Sequence, residues 1–180
     1  MSNGKKILIT GASGMVGSLI LERCLESQQV ATVSSLVRKS CGRNHHKLHE
    51  IVVPDFTKLD ACRDAFSDVD TVFYCLGVYT GAVSRDQFRQ ITVEFPEILA
   101  RSVQEQSPNV RFCLLSGAGA DRSERSRLMF ARDKGMIENR LSAMGLGAFH
   151  SFRPAYIYPV NPRKEPNFSY KISRWLYTIL

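Results

Sequence analysis

Long apolar runs are missing: none of about 18 residues or more occurs in the 180-residue chain, so no membrane-spanning helix and no membrane partner is expected. The opening "MSNGKKILIT" also lacks the apolar run and small-residue cleavage site of a secretory leader, which makes the cytoplasm the expected location. Paired cysteine patterns are missing too. Cys24, Cys41, Cys62, Cys75 and Cys113 are five in number with no Cys-x-x-Cys among them, so they read as reduced thiols rather than a disulfide framework. Cys41 is followed by His45, His46 and His49, but no second ligand cluster accompanies them and no metal is expected. Acidic residues are scarcer than basic ones, 17 against 24, giving a formal charge of +7. That balance suits an anionic partner. The basic runs "RKSCGRNHHK" and "RSERSRLMFARDK" are not interleaved with stacking aromatics, so nucleic acid is not expected and most of these cations read as solvated faces. No internal repeat or low-complexity linker interrupts the chain, and its 44% hydrophobic content suits a single domain with one core.

What is present is an alternation of two periodicities. "KKILIT" is a strand of the fully buried kind, and "MVGSLILERCLES" places Val16, Leu19, Ile20 and Leu25 along one helix face. Further strands are expected at "TVSSLVRK", "HEIVVPDF", "DTVFYCLG", "VRFCLLSG" and "AFHSFRPAYIY". Between them lie a short helix at "ACRDAF", a long one from about Gln87 to Gln106, and another in "SRLMFARDKGMIENRLSAMG" with Leu128, Met136, Ile137 and Leu141 apolar. Strands alternating with helices predict βαβ units. The fold class is therefore α/β: a doubly wound parallel sheet in three αβα layers, which binds ligands at the carboxyl ends of its strands.

The stretch that points to a ligand is "LITGASGMVG". Gly11, Gly14 and Gly17 follow a strand and open a helix, the context of the dinucleotide-binding Rossmann fold. Gly11 permits the tight turn, Gly14 lets backbone N–H groups approach a pyrophosphate, and Gly17 lets helix and strand pack closely. The contacts expected on this turn are Gly11, Ser13, Gly14, Met15, Val16 and Gly17, with the pyrophosphate on the helix N-terminus. About twenty residues on, an NAD-preferring domain presents an acidic side chain to the adenosine ribose. This chain presents "LVRKS" instead. Arg38 can clamp a 2′-phosphate bidentately with Lys39 as a nearby point charge, so NADP(H) is preferred and NAD(H) is the alternative.

The spacing G-x-x-G-x-x-G, with "TGASGMVG", "DVDTVFYCLG", "LLSGAGAD" and "FRPAYIY", resembles the short-chain dehydrogenase/reductase superfamily over almost the whole chain. The likeness is greatest to its extended and atypical branches, and there to small NAD(P)-binding proteins related to the Tat-interactive protein and to NmrA-like domains. The resemblance implies that Asp55 contacts adenine and that Leu76 and Gly77 wall the adenosine pocket. It also implies a catalytic Ser at the end of the fifth strand, a Tyr on the next helix that exchanges a proton with substrate, and a Lys four residues later that holds the nicotinamide ribose. Ser116 and Lys134 stand at the first and third of these positions, and Phe130 stands at the second. Phenylalanine has no proton to give. Loss of a positioned acid or base typically costs about 100- to 10,000-fold in rate, so substitutes are sought at other strand ends, at Tyr79, Tyr156 and Tyr158. A second departure is "RQITVEFPEIL", where many family members carry an Asn that kinks the helix and joins a proton relay; Pro96 is expected to bend or start a helix segment there.

Residues 1–160 form the expected NAD(P)-binding domain and 161–180 an apolar extension, ending in "FSYKISRWLYTIL". That extension either packs on the core, forms a homodimer contact, or is the start of a substrate-side element cut short. Two functions remain open: an NADP(H)-dependent oxidoreductase acting on a small carbonyl or hydroxyl substrate not identified by sequence, and a non-catalytic NADP(H)-responsive sensor or regulatory binding protein.

Overall fold

Six short runs of β-branched and large apolar residues build one parallel sheet in a computed structural model that describes residues 4–155 and 157. The strands are β1 (Lys5–Thr10), β2 (Val30–Val37), β3 (Leu48–Val52), β4 (Thr71–Tyr74), β5 (Arg111–Leu115) and β6 (Ala148–Phe152), in the spatial order β3-β2-β1-β4-β5-β6. Every neighbouring pair is parallel, with Ile9 opposite Ser35 on one side and Phe73 on the other. The chain winds outward from β1 to β3 and then returns to start again at β4. The crevice between the carboxyl ends of β1 and β4 is therefore the topological switch point, where ligands of such sheets bind.

Side chains of β1 alternate across the sheet, and both faces are covered. Ile7 and Ile9 join Leu21, Leu25 and Val33 beneath α1 (Met15–Glu26), whereas Leu8 joins Phe66, Val72, Phe112, Leu99 and Ile137 on the opposite face. The helices there are α2 (Arg85–Arg89), α3 (Phe95–Gln106), α4 (Met129–Ala143) and a 3-10 segment, Asp60–Phe66. Each fully buried Leu, Ile or Phe contributes about 1.5–3 kcal/mol relative to exposure.

Two helix faces differ from expectation. The buried stripe of α1 is Gly17, Leu21, Cys24 and Leu25, and Leu19 is 44% exposed. Close packing at Gly17 rotates the helix about that contact. Leu128 is 63% exposed because it precedes α4 in an extended conformation, ψ 114°. The Asp121 carboxylate accepts the N–H groups of Ser123, Arg125 and Ser126, which holds these residues in a loop and delays the helix to Met129.

The long helix expected from about Gln87 is divided. Ser84 caps α2 through a reciprocal box with Gln87, and a π-turn, Gln90–Glu94, joins α2 to α3. Within that turn the Phe95 N–H reaches the Gln90 carbonyl, so the next partner in line for Ile91 would be residue 96. That residue is Pro96, which has no N–H. The Tyr74 hydroxyl donates to the stranded Ile91 carbonyl at 2.6 Å instead.

Candidate active site

The glycine turn is held by contacts that exclude any side chain. Gly11 has φ +72°, and a Cβ there would lie 2.7 Å from the Cys75 carbonyl; a Cβ on Gly17 would lie 2.1 Å from the Gly11 oxygen. The Gly14 N–H donates to Gly11 at 2.9 Å, and the first helical bond is Ser18 N–H to the Gly14 carbonyl, 2.9 Å. The N–H groups of Met15, Val16 and Gly17 precede it, as the first turn of any helix requires. Ser13 and Gly14 are exposed and the first turn of α1 holds no acidic residue. This end of α1 is therefore accessible and electropositive.

Three cavities run along the carboxyl edge of the sheet, and Leu76 lines all of them. The first, about 240 Å³, has Ser13, Arg38, Lys39, Arg43 and Glu50 on its walls. The second, about 410 Å³, is lined by Arg38, Asp55, Phe56, Gly77, Gln90 and Phe95. The third, about 370 Å³, brings together Met15, Gly77, Tyr79, Ser116, Phe130 and Lys134. A Cβ built on Gly77 would meet nothing within 4 Å, so the middle of this furrow is open backbone. Arg43 escaped the sequence reading; it lies beyond the β2 strand in a run that reads as solvated, and the folded loop places it on the wall that Arg38 also lines, its Nη2 3.7 Å from Glu22. Asp55 is on the furrow wall, with Oδ1 accepting from the Thr57 N–H at 2.9 Å and hydroxyl at 2.6 Å. Those bonds hold its carboxyl below the ordinary range.

α4 carries Phe130, Lys134 and Glu138 at four-residue intervals; the first two line the third cavity and Glu138 is hydrogen-bonded to Ser116 of its wall. Lys134 is packed against the backbone after β5, its Cε 3.4 Å from where a Cβ on Gly117 would sit. Burial pushes its pKa down to about 8 against the opposing pull of Glu138. Ser116 is buried and donates its hydroxyl proton to Glu138 Oε1 at 2.6 Å. The same oxygen accepts from Ser151 at 2.7 Å and from Arg153 Nε at 3.0 Å, and Arg153 Nη2 binds Oε2. Glu138 is 1% exposed. Burial favours its neutral form, but the bonds from Arg153, Ser116 and Ser151 outweigh burial and hold the carboxyl below its ordinary range. Neither Glu138 nor Arg153 was singled out from sequence. The Lys134-to-Glu138 spacing was the available signal; the strand that carries Ser151 and Arg153 to it was not.

Phe130 lines this cavity with its para carbon 3.5 Å from the Cβ position of Gly119, a glycine at φ +85°. Phe130 gives the cavity a hydrocarbon wall at that point. Tyr79 lines the same cavity and already takes part in an interaction of its own. Tyr156, Tyr158 and the 161–180 extension lie outside the described residues.

Comparison with known proteins gives the same lineage. The chain is 26% identical over 155 residues to Protein HTATIP2 of Rattus norvegicus, covering 85% of this chain and 63% of that protein. It is 29% identical over 166 residues to Protein fmp52, mitochondrial, of Aspergillus clavatus, covering 89% and 70%. Among solved structures it resembles the Bordetella bronchiseptica enzyme WbmH in complex with NAD+ at TM-score 0.67 and 20% identity, covering 85% of this chain and 56% of that one. WbmG of the same organism, in complex with NAD, gives TM-score 0.66 at 17% identity, with 84% and 53% covered. The chain thus spans less than two thirds of the first of these relatives. With residues 7–130 matching the model of the NAD dependent epimerase/dehydratase family, and with the glycine turn, switch-point furrow and Ser116–Lys134 cavity in place, the chain belongs to that family.

Proposed function

We propose that this protein binds NADP(H) along the furrow and acts as an oxidoreductase on a small carbonyl or hydroxyl compound. The observation that carries the reading is the continuity of the furrow, from the cations Arg38, Lys39 and Arg43 past Leu76 and Gly77 to Ser116 and Lys134. A dinucleotide 2′-phosphate fits the cationic end, where Arg38 binds it through paired N–H donors and an acidic ribose partner at the end of β2 is replaced. The pyrophosphate fits the N–H groups that open α1. When bound, the nicotinamide supplies or accepts hydride. Lys134, with three N–H donors, serves its ribose and the substrate oxygen, Ser116 accepts from a substrate hydroxyl, and Phe130, Leu76, Phe88 and Met15 keep the cavity apolar.

A titration of wild type and Arg38→Ala with NADPH and NADH, followed by nicotinamide fluorescence, tests the reading. The expected result is tighter binding of NADPH and a loss on Arg38→Ala of about tenfold or more for NADPH alone, the scale of one charge-assisted hydrogen bond of ~1.5–3 kcal/mol. Equal affinities, unchanged by Arg38→Ala, would remove the 2′-phosphate assignment. One observation favours a second reading, a nucleotide-responsive binding protein without turnover: the hydrocarbon at Phe130. NADPH binding with no reduction of any quinone, aldehyde or ketone would select it.

A further inference from the structure

We infer that Lys134 is itself the proton donor of this site, delivering a proton directly to the oxygen of a bound carbonyl compound, while Ser116 acts as a hydrogen-bond acceptor that holds the alcohol formed. The inference rests on the oxidoreductase reading above.

The geometry divides donors from acceptors. A carbonyl oxygen needs a donor, and Ser116 has one proton, which Glu138 takes at 2.6 Å. Glu138 has no proton to return: as a carboxylate it only accepts, from Ser151 and from Nε and Nη2 along one edge of the Arg153 guanidinium. What Ser116 presents to the cavity is a lone pair, complementary to a hydroxyl. Lys134, with three N–H donors, stands on the same wall, and among the described residues its ammonium forms neither a hydrogen bond nor an ion pair. Phe130 cannot compete for the role.

The charges around Lys134 are mostly neutralised by other partners. On α4, Glu138 is paired with Arg153 from the segment after β6, and Asp133 with Arg89 of α2, Nη1 to Oδ1 at 3.5 Å. Tyr74 from β4 and Tyr79 from the loop after it complete the titratable groups facing this region among the described residues. Lys134 is thus set chiefly by burial, which brings its pKa to about 8. An ammonium of that acidity is mostly protonated at neutral pH and gives its proton readily, the condition for efficient general acid catalysis. A bound reduced nicotinamide would supply hydride, with its electron pair, to the carbonyl carbon, and the C=O π pair would move to oxygen. That oxygen takes a proton from Nζ. The N–H bonding pair stays on nitrogen, and water at the cavity mouth reprotonates the neutral amine.

The test joins a titration to kinetics. Competitive acylation of the nucleotide-free protein by acetic anhydride, read by peptide mass spectrometry, should give Lys134 a midpoint near pH 8, below the ordinary lysine value of about 10.4. Turnover is then followed with NADPH at saturation and a panel of quinones, aldehydes and ketones led by 9,10-phenanthrenequinone. Lys134→Gln should lower kcat by ~100-fold or more, ethylammonium should restore rate to Lys134→Ala, and Tyr79→Phe and Tyr156→Phe should each lower kcat by far less than Lys134→Gln does. Phe130→Tyr in the Lys134→Gln background should recover part of the loss. Should Lys134→Gln raise only the KM for NADPH, or should a tyrosine variant abolish turnover, the proton-donor assignment falls and the oxidoreductase reading stands. Nucleotide binding without turnover in the wild type overturns both.

Discussion

Glu138 is a single carboxylate that ties the end of β5, the end of β6 and α4 together through Ser116, Ser151, Arg153 and its own backbone. Glu138→Gln removes the buried member of the pair and leaves Arg153, which solvent reaches, so the variant is expected to lose ~1–2 kcal/mol of stability, read as a lower denaturant midpoint with an unchanged m-value. Arg153 is 41% exposed, so water screens the pair and solvates the guanidinium left behind. The sign of the pH dependence follows from the depressed carboxyl. Its stabilisation is complete above the ordinary carboxylate range and is lost as pH falls through and below that range. Acid unfolding of the wild type should be steeper below about pH 4 than that of Glu138→Gln, measured by circular dichroism from pH 7 to 2.

At the scale of elements, two glycines separate packing from binding. A Cβ on Gly135 of α4 would stand 1.7 Å from the Asp121 carbonyl, so Gly135→Ala must push α4 away from the loop that follows β5. A loss of ~1–3 kcal/mol is expected in thermal or denaturant melts. Gly77→Ala meets nothing within 4 Å, so its stability should stay within about 0.5 kcal/mol of wild type while its affinity for NADPH falls. The succession of strands and helices along the chain, the glycine turn and the Phe130–Lys134 spacing were legible because they are local: period, punctuation and i, i+4 geometry carry them. The π-turn was half legible. Pro96 announced a break, but the Tyr74 hydroxyl that accommodates it arrives from β4, and no local pattern contains that contact. Glu138 was hidden for the same reason, since four residues past Lys134 on a helix it reads as solvated until β6 brings Ser151 and Arg153 beside it. Leu19 and Leu128 read as inward because periodicity alone does not know where Gly17 docks or where the Asp121 loop releases the chain.

For the whole molecule, a ligand that binds the folded chain alone stabilises it by mass action. At a hundredfold excess over Kd, NADPH should add about 2.7 kcal/mol and raise the melting temperature by ~5–10 °C for a chain of this length; a smaller rise with NADH at the same multiple of the NADPH Kd follows from the proposed preference. Leu76, shared by all three cavities, gives this linkage an internal counterpart. On the proposed reading the furrow would meet the dinucleotide as two tethered ligands, an adenosine phosphate at Arg38 and a nicotinamide ribose at Lys134, and once either end had docked the other would be present at an effective concentration set by the length of the pyrophosphate bridge. Each mononucleotide half alone is then expected to bind weakly, and a substitution at the Arg38 end to shorten the residence of the nicotinamide at the far end of the furrow.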